Sequence, residues 1–390
     1  MSQTERPGIK IVVILSDGVR GHLNQSRGVA TWIAKLTGAE VLEAEVPALT
    51  GAAKARAKNA ARRLPGGNRR DAREWLAMAD GDAIVRRIGQ WFAERNIREG
   101  TQEVLLLSAG STAAPYNLAL GYIWRCSCAT IMTPSVVGTA PFDFAIVPEH
   151  DYPERRPNIL VTLGSPNYVM KEDLQKEADK LLAEFPPESD VQWSVLIGGD
   201  DANYSVTPQW VKKTVGHIMS IAEQEGVDLY ITTSRRTPAA AVKTLKTLAS
   251  HSSSVRYLLI ASEDPFNPIP AMLGFSKEIF VTEDSVNMVS ETITGGHKAV
   301  LLRVEHKKGL RGLLENATAS LVNAGALPPG TLWGVPKFDV VFDHFARHDA
   351  LIEFRDWIKR RREKTDEEVL QPEEFNEAKR AAQWIVENWQ

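Results

Sequence analysis

Several short stretches of this chain set charged and hydroxyl side chains beside glycine or proline, the composition of turns that hold anions and move protons. In VTEDSVNMVSETITGGHKAVLL, residues 281–302, Asp284 and Ser285 open a helix behind an apolar strand, and Glu291 lies two turns along it. A helix N-terminus carries backbone N–H groups without intrahelical partners and a partial positive charge, so it can hold a diphosphate. A carboxylate at Glu291 then suits a vicinal pair of ribose hydroxyls, and an acidic N-cap followed by an ordinary surface helix is the competing account. SRRTP, residues 234–238, sets Arg235 and Arg236 together at a strand end, flanked by Ser234 and Thr237. Adjacent guanidinium groups are costly to order without anions, and their planar forks fit phosphate. A surface ion-pair cluster is the competing account.

GGDDANY begins with Gly198 and Gly199, which let backbone approach a ligand closely. Asp200 and Asp201 repel phosphate unless they turn away or hold a cation, and an ordinary strand-to-helix turn explains the same residues. SDGVRGHLNQ places His22 in a glycine-flanked loop with Asp17. An imidazole of ordinary pKa, about 6.5, can take a proton from an acceptor hydroxyl while a carboxylate assists it. A histidine that only caps the loop is the alternative. PEHD, with Glu149 and His150, is another strand end able to supply the base or an acceptor contact, and Asn267 before Pro268 borders the expected pocket for a nucleotide base.

Other chemistries find less support. His344 and His348 stand at helical spacing without the acid of the metalloprotease pattern, and Cys126 and Cys128 fall short of a zinc ligand set. No metal is expected. GVRGHLNQ is not a dinucleotide fingerprint and no Walker phosphate loop occurs, so NAD and ATP enzymes are disfavoured and no cofactor is expected.

These turns need elements to aim them. Residues 9–15 (IKIVVIL) form a continuous β-branched run, the pattern of a parallel strand covered on both faces. A helix starting near Asn24 carries Val29, Trp32, Ile33 and Leu36 on one face. Further strands are expected at 41–46, 104–107, within CSCATIM and FDFAIVPEHD, and at 159–162. Helices are expected over about 73–95 and from about Ala113, behind SAGSTAAP. The second half repeats the grammar, with strands ahead of GGDD, SRRTP and TEDS and helices over 208–225, 238–249 and 267–275. A parallel sheet with helices on both faces places ligands at the carboxyl ends of its strands, where all three turns fall. From about residue 340 the chain reads as helical, through Leu351, Phe354 and Trp357, with a last helix over 372–389; such helices can pack back across the first domain.

The fold class is therefore α/β, two Rossmann-like domains: 1–170, a connecting helix and linker over 171–190, a second domain over 191–330, and C-terminal helices over 331–390. The chain has 390 residues, 43% hydrophobic and 24% charged, enough for two cores. A net charge of −3 argues against a general nucleic-acid binder. The polar start and the absence of any run near the roughly twenty apolar residues of a membrane span point to a cytoplasmic chain, peripheral at a membrane at most. Residues 54–73 carry Lys54, Arg56, Lys58, Arg62, Arg63, Arg69, Arg70 and Arg73 against Asp71, either a solvated face or a surface for anionic head groups.

Taken in order and spacing, SDGVRGHLNQS, FDFAIVPEHD, LIGGDDANY, TTSRRTP, NPIPAML and VTEDSVNMVSE resemble the family named for the plant mitochondrial fission factor whose loss gives elongated mitochondria. The resemblance covers about Leu15 to Leu302. It implies two domains facing a cleft, similar to GT-B glycosyltransferases, with a nucleotide-sugar as substrate and an envelope lipid or polysaccharide precursor as acceptor. DSVNMVSE resembles the phosphate turn and ribose-binding glutamate of nucleotide-sugar transferases such as the one that completes lipid II, and GHLNQ resembles their Gly-His loop. By that likeness Ser285 meets the diphosphate, Glu291 the ribose, and His22 is the base. Gly21, Asn24, Gln25, Ser111, Glu149 and His150 are then acceptor-side. Asp284 stands where those transferases carry a small neutral residue, so its carboxylate either selects a different donor or turns away. A non-catalytic adaptor at a membrane is the rival class.

Overall fold

The computed structural model describes residues 8–307, 310–328, 331, 335–363 and 375–389. The chain divides into two compact units, Met1–Tyr168 with Asn376–Gln390, and Val169–Phe375.

The first unit is built on β1 (Ile11–Ser16), β2 (Glu40–Glu45), β3 (Val104–Ala109), β4 (Ser127–Ile131), β5 (Phe144–Pro148) and β6 (Ile159–Thr162). They pair in parallel in the order β2-β1-β3-β4-β5-β6. Every residue of β1 and β3 is buried, because alternate side chains go to opposite faces and both faces are covered. Ile11, Val13 and Leu15 pack with Trp75, Ile88 and Tyr116, while Val12 and Ile14 pack with Val29, Ile33, Ala378 and Ile385. The second of these cores is completed from the far end of the sequence. The helix Glu377–Glu387 buries Ala378, Ala381, Ala382 and Ile385, so the chain does return to its first unit. Gly28 permits the approach, since a Cβ there would lie 2.1 Å from the Asn167 carbonyl oxygen and 3.2 Å from Ala378 Cβ.

Three local expectations are corrected. The helix after β1 spans Arg20–Thr37, so His22 sits in its first turn and not in a loop. The helix after β3 starts at Gly110, immediately behind the strand. The single helix expected over 73–95 is two, Arg69–Met78 and Asp82–Glu94, because Asp80 takes a left-handed conformation (φ 57°) and Gly81 packs where a Cβ would meet Leu76 at 2.6 Å.

The second unit contains β7 (Gln192–Ile197), β8 (Tyr204–Ser205), β9 (Asp228–Thr233), β10 (Val255–Leu259), β11 (Glu278–Thr282), β12 (Ala299–Leu302), β13 (Glu305–His306) and β14 (Leu351–Glu353). The parallel sheet runs β10-β9-β7-β11-β12-β14, and β8 and β13 form a small antiparallel ribbon. β14 corrects the reading of this stretch as helical. Asp349, at φ 55°, ends the preceding helix, and three residues are too few to show a period. The helix Lys171–Glu184 packs in this unit against Ile269–Phe275, where a Cβ at Gly274 would stand 2.4 Å from the Leu174 carbonyl. The expected last helix begins at residue 372, of which 372–374 lie outside the described residues.

In both sheets the chain reverses direction across the sheet beside its first strand, between β1 and β3 and between β7 and β11. Crevices at the carboxyl ends of such strand pairs are the ligand sites of open α/β sheets. Among the described residues, no helix is long and apolar enough to cross a membrane.

Because Ile385 has no exposure and joins the helix to β1 and β3, Ile385→Ala is expected to destabilise the first unit by about 2–5 kcal/mol. Hydrogen exchange should show faster opening of β1 to β6 while β7 to β12 keep wild-type protection.

Candidate functional site

The turns after β7, β9 and β11 meet at the second switch point. Gly199 N–H donates to Asp284 Oδ2 at 2.8 Å, and Arg236 Nη2 donates to the same oxygen at 3.0 Å. Thr237 Oγ1 donates to the Gly198 carbonyl at 2.5 Å, Gly198 N–H to Thr282 Oγ1 at 2.7 Å, and Asp200 N–H to the Arg236 carbonyl at 3.1 Å. Arg236 Nη1 reaches the Gly199 and Asp200 carbonyls at 3.4 and 3.2 Å. Ser234 Oγ accepts the Arg236 N–H at 3.2 Å, and Thr237 Oγ1 accepts the Ser234 N–H at 3.0 Å, so SRRTP folds on itself as well.

The glycines serve this closure. A Cβ on Gly198 would stand 2.1 Å from both Asp284 oxygens, and one on Gly199 would stand 2.2 Å from the Arg236 carbonyl carbon. The Asp284 side chain has no exposure, and its Oδ1 has no hydrogen-bond partner among the described residues. Of the two outcomes open for this carboxylate, it turns inward. Burial pushes its carboxyl above the ordinary value of 3.8, and the Gly199 N–H, the Thr282 hydroxyl and the Arg236 charge only partly offset that. Asp200 and Asp201 are tied to the backbone of the following residues, with Asp200 still 34% exposed. Asp200 Oδ1 accepts the Val206 N–H at 2.8 Å, and Asp201 Oδ1 accepts the Asn203 and Tyr204 N–H groups at 2.7 and 2.8 Å.

What remains open is the outer rim. Arg235 is exposed with no ion pair among the described residues, and Arg236 keeps 44% of its side-chain surface. The helix Val286–Thr294 begins beside them. Ser285 is its N-cap, accepting the Met288 N–H at 3.3 Å, and Glu291 is held along it at 8% exposure. Asn267 is exposed and its Oδ1 accepts the Ile269 N–H at 3.3 Å, so it turns the chain into the helix Ile269–Phe275.

At the first unit's switch point His22 Nδ1–H donates to Asp17, 2.9 Å from Oδ2 and 3.1 Å from Oδ1. Burial alone would raise the Asp17 carboxyl, but the hydrogen bond from His22, its charge and the Val19 N–H outweigh it, and the carboxyl lies below its ordinary value. The His22 side chain keeps 27% exposure, so Nε2 is left for a second partner. Gly110 makes room for the ring: it has φ +79°, and a Cβ there would stand 2.5 Å from His22 Cε1. This contact was missed in the sequence, although AGS at a strand end was its signal. Gly21, Asn24 and Gln25 follow in the same helix, with Gln25 buried. Ser111 is the next residue after Gly110, and its Oγ accepts the Ser135 N–H at 2.9 Å. Glu149 and His150 lie apart from these in chain order, in the short turn Glu149–Asp151 behind β5, with His150 8% exposed.

A second cluster had no counterpart in the sequence reading. Glu283, fully buried beside Asp284, accepts from Arg303 Nη1 at 2.8 Å, the Val304 N–H at 2.7 Å and His306 Nε2 at 3.3 Å. Arg303 also binds Glu353 at 2.8 Å and Asp339 at 2.6 Å.

Residues 20–389 match the family described as Mitochondrial fission ELM1. The chain belongs to that family. An uncharacterized protein of Rickettsia prowazekii (strain Madrid E) is 27% identical over 136 residues, 33% of this chain and 38% of the length of that relative. Among solved structures, the UDP-GlcNAc 2-epimerase of Neisseria meningitidis bound to UDP-GlcNAc aligns at TM-score 0.48 and 12% identity, covering 97% of this chain and 99% of the other. A UDP-glucosyltransferase of Polygonum tinctorium aligns at TM-score 0.47 and 10% identity, covering 99% and 100%. At such identities and scores neither assigns a ligand or a reaction to this family member.

The buried Asp284 gives the family member a pH signature. A carboxyl whose value is raised on folding binds its proton more tightly in the folded state, so its stabilising contribution is present at low pH and is lost as pH climbs from about 3.8 through the raised value. Asp284→Asn lacks that titration. Its melting temperature should therefore gain on the wild type as pH rises from about 4 to about 7, and parallel melting curves would show that Asp284 does not titrate above its ordinary value.

Proposed function

We propose that this chain is a glycosyltransferase of GT-B type, moving a sugar from a nucleotide-sugar donor to a hydroxyl of an envelope lipid or polysaccharide precursor. The observation that carries the reading is the carboxylate-oriented imidazole of Asp17 and His22 at the first sheet's switch point, the arrangement of a general base. In the reaction the acceptor hydroxyl gives its proton to His22 Nε2, its oxygen bonds to the sugar's anomeric carbon, and the bond from that carbon to the diphosphate breaks. Asp17 then stabilises the imidazolium.

The second unit takes the donor. Arg235, the remaining donors of Arg236, the Ser234 and Ser285 hydroxyls and the first N–H groups of the helix Val286–Thr294 meet the charge that builds on the leaving diphosphate. Glu291 takes the ribose hydroxyls, and Asn267 borders the base. With that charge met by protein groups, the reading calls for no metal and no cofactor. Gly21, Asn24, Gln25, Ser111, Glu149 and His150 are assigned to the acceptor side. The exposed Lys54, Arg56, Lys58, Arg62 and Arg63 form a face suited to anionic head groups of an inner membrane, with a cytoplasmic chain attached peripherally. Arg69 and Arg70 are set aside from that face, being paired with Glu99 and Glu74.

One observation favours the rival, a GT-B-like adaptor without chemistry: Asp284 already occupies the Gly199 N–H and one edge of Arg236. Thermal-shift titration with UDP, GDP, CMP and ADP and their sugar conjugates separates the two, because a ligand that binds only the folded chain raises its stability. A stabilising nucleotide is expected, and no response across the panel supports the adaptor. Glu291→Ala should weaken that nucleotide by about 10–100-fold, the loss of charge-assisted hydrogen bonds. His22→Ala should leave nucleotide binding intact and reduce sugar transfer by about 100-fold or more. Equal loss of nucleotide binding in both variants contradicts the assignment of roles.

A further inference from the structure

The first unit contains a cavity of about 260 Å³ at the carboxyl ends of β2, β3 and β4. Its body is apolar, formed by Leu49, Trp75, Pro115, Tyr116 and Val136. The polar ends of its two aromatic residues are already used, the Trp75 indole N–H on the Ala57 carbonyl at 2.9 Å and the Tyr116 hydroxyl on the Ala79 carbonyl at 2.7 Å. The rings therefore present hydrocarbon surface.

The mouth is different. Lys54 and Lys58 lie one turn apart on the helix Gly51–Ala60, both exposed and neither in an ion pair among the described residues. Ser111 and Ser135 also line the cavity, and no carboxylate does. Since Ser111 Oγ accepts the Ser135 N–H, its own O–H is left to donate. The mouth thus offers two ammonium groups and hydroxyl donors with nothing to neutralise them. Two positive charges one turn apart complement a phosphate monoester, which carries about −1.5 to −2 near neutrality, better than a single carboxylate. The volume is just under the roughly 300 Å³ of small-molecule pockets, room for a chain end and not for a whole sugar acceptor.

We propose that this cavity binds a lipid phosphate, the apolar chain seated against Leu49, Pro115 and Val136 and the phosphate held at the mouth by Lys54, Lys58 and Ser111. The assignment rests on the transferase reading only in placing this lipid beside the acceptor's base. Ser111 follows directly on Gly110, against which the His22 ring lies, so a phosphate monoester at Ser111 lies next to that base.

Calorimetric titration of the full chain with decyl phosphate below its micelle threshold tests this, with decanol and inorganic phosphate as separate arms. Decyl phosphate should bind about tenfold or more tighter than either, and the double variant Lys54→Gln, Lys58→Gln should lose about tenfold or more, as expected for removed charge-assisted contacts. Both lysines are exposed, so the variant is expected to fold; an unchanged melting temperature confirms that its loss is one of binding. Decanol binding as tightly as decyl phosphate, inorganic phosphate doing so, or a double variant with wild-type affinity overturns the proposal. A nucleotide response without decyl phosphate binding defeats the cavity assignment alone. Decyl phosphate binding without any nucleotide response leaves the cavity standing and defeats the transferase.

Discussion

A single carboxylate without access to water closes the second unit's crevice. Asp284 Oδ2 takes the Gly199 N–H and the Arg236 guanidinium, and through them the turns after β7, β9 and β11 become one body. Removing a carboxylate from water is expensive, and a buried pair recovers that cost only when its geometry is good and its lone pairs are met. Here Oδ2 takes both the Gly199 N–H and Arg236 while Oδ1 has no hydrogen-bond partner among the described residues, and burial outweighs those contacts and raises the carboxyl above its ordinary value. The glycines follow from the same constraint. No side chain fits at 198 or 199 once the carboxylate and the SRRTP backbone occupy that space.

A second buried charge stands next to the first. Glu283 and Asp284 are consecutive in the turn after β11, and they contact different partners. Asp284 goes to the crevice, and Glu283 goes to Arg303, which joins it to Glu353 at the end of β14 and to Asp339. Burial alone would lower the Arg303 guanidinium, but Glu353 and Glu283 hold it firmly protonated. Of this set only Glu283 is fully buried, so loss of Arg303 would leave that carboxylate without its closest cation. TED is thus a structural motif on one side and a site motif on the other, and a variant at Glu283 speaks to stability before it speaks to ligand.

Much of this was legible in the sequence because the strands are buried on both faces. A β-branched run announced β1 and short apolar runs announced β3, β7 and β11, and the turns behind them followed. The inward course of Asp284 was open from sequence as one of two outcomes, but the reason for Gly198 and Gly199 was not: glycines placed to admit a ligand and glycines placed to admit another loop have the same spelling. Arg303 and Glu353 were invisible as partners of Glu283 because pairing across β11, β12 and β14 depends on register, which periodicity does not supply. The break at Asp80 and Gly81 was spelled DGD and was overridden by the apolar spacing on either side.

The inward Asp284 does not by itself remove the crevice from anion binding. An arginine has five N–H donors, and the contacts of Arg236 to Asp284, Gly199 and Asp200 use its Nη1 and Nη2 edges while 44% of the side chain stays exposed. Those contacts fix the guanidinium before any ligand arrives, which removes an ordering cost that a free arginine would have to meet on binding. Beside it stand a second arginine, Arg235, and a helix N-terminus whose Ser285 cap satisfies the Met288 N–H. A carboxylate that orders one guanidinium and leaves part of its surface exposed does not by itself close the crevice to an anion.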